Sequence, residues 1–284
     1  MKYQNTKIPL KNIIKVFNQI ESADIICLAK KIQKQLITDT SLIKNNDDIY
    51  KIVTQADIKI QKLLLDYFGN SSLKGTYQVI AEEAILNKIN SKNASWKLLI
   101  DPLDGTRSFI NQDKTWGVMV GACDLLGVLR YSWNLVSTGK VFTSQTTNIN
   151  RINKMKTIII DVFDYQSRAI KKFNSTFSQY TFVEYPAAVW VGWQLYQEKV
   201  NGLLWLPSKK GKKWYPDYDL VFLGALFNKG YNIIIGKKDN NNSMIAIGLT
   251  LKDAEKLYEI GLSLLPKNQR QKMKKIVNKL KIIN

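Results

Sequence analysis

The chain has 284 residues, of which 45% are hydrophobic and 23% charged, so it can form one large domain or two smaller ones that share a core. It contains no histidine and two cysteines, which excludes histidine-ligated zinc, Ser-His-Asp triads and a disulfide framework. The formal net charge of +19 favours an anionic partner, although compositional drift toward Lys, Asn and Ile explains it as well.

The first part of the chain combines helical periodicity with short strands. Apolar residues recur at helical spacing over residues 10–37, and a second helix is predicted from about Ala56 to Phe68, after a polar turn at 45–48. Short apolar runs follow, and several of them end in acidic residues. The predicted strands are Tyr77–Ala81, Lys97–Ile100, Trp116–Cys123, Gly127–Trp133 and Lys140–Thr143.

The second part alternates helices and strands irregularly, which is typical of a layered α/β protein. Strands are predicted at Thr157–Val162, Val183–Tyr185, Gly202–Leu206 and Asn232–Gly236. Helices are predicted at Ser167–Phe177, Ala187–Lys199, Asp219–Asn228 and from about Leu251 onward, where the tail lysines are assigned to a solvated helix face. A polar seam at Thr147–Lys154 separates the two parts.

The segment Leu98–Thr106 is the most informative for chemistry. An apolar strand delivers Asp101 and Asp104, which can face one point if the chain turns between them, and Mg²⁺ prefers such anionic oxygens. Gly105 permits close backbone approach to a ligand, and the N–H groups of Gly105 and Thr106 would open a helix suited to a phosphate. A capped turn explains the same residues, so this segment alone does not distinguish a metal site from an ordinary turn.

Further acidic residues favour the metal interpretation. Glu82 and Glu83 end a predicted strand, Asp57 is expected at a helix start, and Asp219 begins an apolar helix far downstream. For each of the two aspartates, N-capping is the alternative explanation.

Taken in order, three motifs resemble those of the inositol monophosphatase superfamily: Thr54-Gln55-Ala56-Asp57, then Glu82-Glu83, then Asp101-Pro102-Leu103-Asp104-Gly105-Thr106. The resemblance runs from Val53 to about Gly236. It implies the family's layered αβαβα sandwich of the inositol monophosphatase/fructose-bisphosphatase type, in the α/β class. A single phosphatase domain would span residues 1–284, with a metal-binding half at about 1–150 and a substrate-side half at 151–284.

The resemblance implies a Mg²⁺-dependent, lithium-sensitive phosphomonoesterase and gives roles to the matching residues. The implied metal ligands, for two or three Mg²⁺ ions, are Glu82, Asp101, the carbonyl of Leu103, Asp104 and Asp219. The implied catalytic residues are Asp57, Glu82 and Thr106. Glu82 would hold the attacking water, and Asp57 would support Thr106 in orienting it. The implied substrate-binding residues are Gly105, Thr106, Lys212 and Lys213.

The downstream half departs from the family pattern. Tyr185-Pro186 stands where Gly-Ser is usual, and Lys212 or Lys213 occupies the stretch in which a polyol-binding Glu is common. These departures weaken a simple inositol monophosphate assignment and leave sugar and histidinol phosphates open. A 3′(2′),5′-bisphosphate nucleotidase is the alternative, with Gln61 as a faint pointer that a solvated helix position explains equally well. A non-catalytic phospholigand-binding relative is the alternative from another class.

The expected partner is therefore a small phosphorylated molecule, and neither a membrane nor nucleic acid is expected. The N-terminus lacks an apolar leader, and no apolar run is long enough to span a bilayer, so a cytoplasmic location is expected. Trp190 and Trp193 belong either to the core or to a subunit contact, which leaves a homodimer open.

Overall fold

The computed structural model describes residues 10–38, 46–82, 93–145, 157–161, 174–175, 177–183, 186–206, 217–238, 241–265 and 267–280. The helices within these ranges are α1 Leu10–Phe17, α2 Ser22–Thr38, α3 Asn46–Gly69, α4 Thr106–Ile110, α5 Ala188–Tyr196, α6 Leu223–Lys229, α7 Leu251–Leu264 and α8 Lys267–Arg270, with a 3-10 helix at Asp217–Leu220. The strands are β1 Tyr77–Ala81, β2 Trp96–Asp104, β3 Gly117–Asp124, β4 Leu129–Val136, β5 Val141–Thr143, β6 Thr157–Asp161, β7 Thr181–Val183, β8 Gly202–Trp205, β9 Asn232–Lys238, β10 Asn241–Gly248 and β11 Lys274–Val277.

The strands form two sheets. The first has the order β1-β2-β3-β4-β5 and is antiparallel except for the parallel pair β1 and β2. The second has the order β11-β9-β10-β8-β6-β7, and β6 runs parallel to both of its neighbours. Because β1 and β2 are parallel, their carboxyl ends lie at the same edge of the first sheet.

Alternation of side chains along the strands builds the layers. In β2, Leu98 and Ile100 pack in the cluster formed with α1, α2 and α3, whereas Leu99 packs in the middle cluster with α5 and α6. In β9, Ile235 joins the middle cluster and Ile234 joins the outer cluster beneath α7. A period of two therefore places each sheet between two helical layers, and the predicted αβαβα architecture is confirmed.

Two glycines allow the middle layer to close around the chain segment after the 3-10 helix. A Cβ at Gly121 of β3 would lie 2.8 Å from Cγ2 of Val221, and a Cβ at Gly192 of α5 would lie 2.8 Å from Cδ2 of Phe222. Both distances are too short for a side chain, so only glycine permits this approach. The contact anchors the 3-10 helix near β3.

The start of α3 differs from the prediction. The helix begins at Asn46, so the residues expected to form a polar turn are helical from that point, and Asp57 lies in the helix interior. The N-cap explanation of Asp57 is therefore wrong. Gln61, one turn later, is fully buried, so the solvated helix position that was the alternative explanation for this residue is wrong as well.

The basic tail also differs from the prediction. The chain leaves the helical conformation after α8 and forms β11, whose residue Ile276 pairs with Ile235 of β9. The edge of the second sheet supplies backbone partners that local sequence periodicity does not reveal. The lysines at 274 and 275 accordingly lie on an edge strand and not on a helix face.

Several predictions fall on residues outside the described ranges. These are the seam Thr147–Lys154, the first part of the helix predicted at Ser167–Phe177, and the loop that carries Lys212 and Lys213. The division into two halves near residue 150 stays a prediction. Among the described helices, none combines the length and apolar character needed to cross a bilayer.

Candidate active site

The carboxyl ends of β1 and β2 bring the first two acids of the site together. Ala81 is paired with Ile100 in the parallel ladder, so Glu82 and Asp101 follow at the same level of the sheet. The backbone N–H of Glu82 donates to the carbonyl oxygen of Ile100 at 3.3 Å, which continues the ladder by one step. The Glu82 side chain is exposed, whereas Asp101 is only 2% exposed.

A β-bulge separates Asp101 from Asp104. Asp101 is paired with Met119 and Asp104 with Gly117, so three steps along β2 oppose two steps along β3. A bulge re-aims the side chains that follow it, which is how one strand presents both carboxylates. The N–H of Leu103, inside the bulge, donates to Oδ1 of Asp101 at 3.1 Å and fixes that side chain.

Four other carboxylates act on Asp101. Burial raises the pKa of Asp101 well above its ordinary value, and the charges of Asp104, Asp219, Glu82 and Asp57 raise it further, in that order. These four groups come from different elements: Asp57 from α3, Glu82 from the residue after β1, Asp104 from β2 and Asp219 from the 3-10 helix. Acids from four separate segments of the sequence therefore contribute to one region of negative potential around Asp101.

Asp104 is held by backbone donors from the other half of the chain. Its Oδ2 accepts a hydrogen bond from the N–H of Val189 at 2.5 Å, and the N–H groups of Ala188 and Gly105 also donate to the carboxylate. Burial raises the pKa of Asp104 to about 6, and these three donors oppose the rise. The donors from α5 have no side-chain signature, so the motifs do not predict them.

Gly105 and Thr106 form the turn that the sequence predicts. Gly105 has φ +85°, and a Cβ there would lie 2.7 Å from the carbonyl oxygen of Thr115 and 2.8 Å from Cβ of Ala187. Glycine is thus required both by the backbone conformation and by the close approach of two segments. Thr106 opens the short helix α4, and its hydroxyl donates to the carbonyl oxygen of Leu103 at 3.3 Å.

The remaining predicted site residues lie on three different parts of the chain. Asp57 is buried on α3, which contacts β2 and α4. Asp219 is half-buried in the 3-10 helix, where the sequence predicts an α-helix, and that element contacts β2 and β3. Lys212 and Lys213 lie outside the described residues. The roles of all of these residues stay predictions.

The donor set fits Mg²⁺ in its chemistry. In the part of the chain that the structure describes, no three acids converge closely enough to hold one ion among them. Mg²⁺, however, is usually bound through one or two carboxylates and retains several waters. Burial and the charges of four other acids raise the pKa of Asp101, so its ionised form is favoured by compensating positive charge. Glu82, Asp101, Asp104, Asp219 and the carbonyl of Leu103 are the groups that would hold it.

A comparison of sequence and a comparison of structure both relate this chain to inositol monophosphatases. The sequence model of the inositol monophosphatase family matches residues 11–132, a segment that ends within β4. The resemblance to the inositol monophosphatase superfamily is confirmed. A comparison with curated proteins gave no sequence match. The matched segment, somewhat less than half of the chain, carries Asp57, Glu82, Asp101 and Asp104.

Solved structures extend the shared fold to nearly the whole chain. Inositol monophosphatase from Anabaena (Nostoc) sp. PCC 7120 has a TM-score of 0.61 at 12% identity and covers 92% of this chain and 99% of its own. Inositol monophosphatase-II from Staphylococcus aureus has a TM-score of 0.58 at 13% identity and covers 90% and 100%. The extragenic suppressor protein SuhB from Bartonella henselae has a TM-score of 0.55 at 13% identity and covers 83% and 97%. At these identities the likeness shows the fold.

Proposed function

We propose that the chain is a Mg²⁺-dependent phosphomonoesterase that hydrolyses a small phosphate monoester. The observation that carries the proposal is that the charges of Asp104, Asp219, Glu82 and Asp57 all act on the buried carboxylate of Asp101. A nucleophilic side chain activated by histidine is excluded, because the chain contains no histidine. Water is therefore the expected nucleophile, and the carboxylates are the groups available to organise it.

Mg²⁺, when bound, supplies charge that activates water and neutralises the transferring phosphoryl group. The protein residues keep that charge in place. Asp101 has one oxygen fixed by the N–H of Leu103, and Asp104 is fixed by the N–H groups of Val189 and Ala188. Rigid orientation of ligands before the reaction is what gives electrostatic stabilisation its value in a buried site.

The turn after β2 would receive the phosphoryl group. Gly105 has no side chain to block the approach of a phosphate, and the N–H group of Thr106 is the one that would face a phosphate oxygen. The Thr106 hydroxyl donates its proton to the Leu103 carbonyl, which leaves its lone pairs free to accept a hydrogen bond from water. In this arrangement Thr106 orients the attacking water.

The proposed substrate class is set by the phosphoryl site and not by the leaving group. Structures of the staphylococcal inositol monophosphatase-II (SaIMPase-II) have been solved with 2′-AMP bound and with inositol monophosphate bound. These two phosphate monoesters have unrelated leaving groups. A related site in this chain would accept an inositol, sugar or histidinol phosphate, or a bisphosphorylated nucleotide if Lys212 and Lys213 meet a second anionic group.

A panel of phosphate esters tests the proposal. Purified protein with Mg²⁺ should release inorganic phosphate from at least one monoester, and excess chelator should stop the release. Asp101→Asn should lower the rate by about two to three decades, because a charge that organises the transition state is lost. Asp66→Asn, which changes an exposed acid on α3, is the matched control and should leave the rate unchanged.

Two outcomes would contradict the proposal. Phosphate release that continues at full rate after chelation would remove the metal from the mechanism. A protein that binds phosphorylated ligands with Mg²⁺ but releases no phosphate from any of them would favour the non-catalytic alternative.

A further inference from the structure

Helix α5 begins without a side-chain cap of its own. Its N-cap residue is Ala187, preceded by Pro186, and neither side chain offers an acceptor to the N–H groups of the first turn. The first four N–H groups of any α-helix lack intrahelical partners and require acceptors from elsewhere. The missing acceptor is supplied by Asp104, which lies 85 residues before Val189 in the sequence.

Close packing at two glycines, one on each side, supports the contact between Asp104 and α5. Gly105 next to Asp104 leaves space for Ala187, since a Cβ at Gly105 would lie 2.8 Å from Cβ of Ala187. Gly117, the cross-strand partner of Asp104, leaves space for Val189, whose Cγ1 would lie 2.8 Å from a Cβ at that glycine. The first turn of α5 therefore packs against the end of β2 at two positions that lack a side chain, Gly105 and Gly117.

The carboxylate of Asp104 can serve the helix and a cation at once. A carboxylate has two oxygens with about four lone-pair directions in total. Three N–H groups, those of Ala188, Val189 and Gly105, donate to it, so a direction remains for a metal ion. Removal of partners of this kind, which orient a ligand without touching the metal, typically lowers metal affinity by about 10–100-fold.

We infer that the first turn of α5 is a positioning element for the metal site: the N–H groups of Ala188 and Val189 hold the Asp104 carboxylate in the orientation that binds the cation. The inference rests on the proposed function for the presence of a cation, and on the structure for the hydrogen bonds. Because coupling between two binding events is reciprocal, a cation at Asp104 also stabilises the start of α5. The metal-side and substrate-side parts of the site are then joined through one carboxylate.

Ala188→Pro tests the coupling with little disturbance of the helix. Ala188 is the first helical residue, a position at which proline is favoured, and Ala187 before it has the extended backbone that proline prefers in its predecessor. The substitution deletes one N–H donor to Asp104. Mn²⁺ binding, measured by the electron paramagnetic resonance of free Mn²⁺, should weaken about tenfold. Ala188→Gly retains the N–H and should bind Mn²⁺ as the wild type does.

Hydrogen exchange in metal-free protein tests the cap itself. The N–H groups of Ala188 and Val189 have no intrahelical acceptor, so their protection reports on Asp104 directly. Asp104→Ala should speed their exchange about tenfold or more. Asp101→Ala removes a neighbouring buried acid for which, within the described residues, no hydrogen bond to α5 is seen, and it should leave their exchange unchanged. Asp104→Asn retains one acceptor oxygen and should restore part of the protection.

The outcomes separate this inference from the proposed function. Wild-type protein that takes up no Mn²⁺ would overturn the proposed function. The hydrogen-exchange experiment would then still test whether Asp104 caps α5, because it uses metal-free protein. Mn²⁺ uptake that is equal in the wild type and in folded Ala188→Pro would overturn the inference and leave the proposed function standing. Equal exchange at residues 188 and 189 in Asp104→Ala and Asp101→Ala would also overturn it. If Ala188→Pro does not fold, the exchange comparison decides.

Discussion

Asp104→Asn, which removes the charge of this residue, should stabilise the metal-free protein. The gain in unfolding free energy over the wild type should grow as the pH rises. Burial raises the pKa of Asp104 to about 6 from an ordinary value of 3.8, despite three N–H donors. A raised pKa means that the folded state binds the proton more tightly than the unfolded state does. The corresponding stability is present below about pH 4 and is lost as the pH rises through 6.

The magnitude follows from the shift. Two pKa units correspond to about 3 kcal/mol, at 1.36 kcal/mol per unit, as an upper estimate for the ionisation of Asp104 in the folded protein. Asn at this position stays neutral at every pH. The difference in unfolding free energy between Asp104→Asn and wild type should therefore shift toward the variant by up to about 3 kcal/mol between pH 4 and pH 7.

Urea unfolding in the presence of chelator, at pH 4, 5, 6 and 7, measures this difference. Comparing the two proteins at each pH removes the general effect of the +19 net charge, which changes the stability of both alike. Asp66→Asn is the control and should show no such trend. A difference that stays constant with pH, or that moves toward the wild type as pH rises, would refute the reasoning about burial at this site.

Three further predictions concern other parts of the molecule. Leu280→Ala should lower the unfolding free energy by about 2–5 kcal/mol in urea titrations, because Leu280 is buried in the middle cluster; a loss below about 1 kcal/mol would contradict that packing. Thr106→Val should lower kcat more than it changes KM in phosphate-release assays, and an unchanged kcat would reduce Thr106 to a turn residue. Neutralising Lys212 and Lys213 together should raise KM for bisphosphorylated substrates about tenfold or more and leave monophosphates unchanged; an equal response of both substrate classes would make these lysines general surface charge.

The parts of the site that depend on side-chain chemistry within one segment could be predicted from sequence. The segment from Asp101 to Thr106 contains the strand end, the bulge and the glycine turn, so its residue types alone indicate its local conformation. Asp57 could be assigned to the site only by resemblance, because its position in the interior of α3 depends on polar residues that also suit a turn. Strand β11 could not be predicted, since its formation requires the edge of β9.

Backbone groups explain why the departures from the family pattern around α5 do not by themselves remove the contact of this helix with Asp104. Tyr185-Pro186 replaces Gly-Ser before α5, and this replacement leaves the helix without a capping side chain. The N–H groups at the start of α5 are nevertheless present whatever side chains precede them, and Asp104 accepts their hydrogen bonds from the opposite half. The start of α5 thus supplies backbone donors to Asp104 at a fixed place, which the packing of Gly192 against Phe222 maintains. Sequence motifs record side chains, so a contribution of this kind leaves no motif to be found.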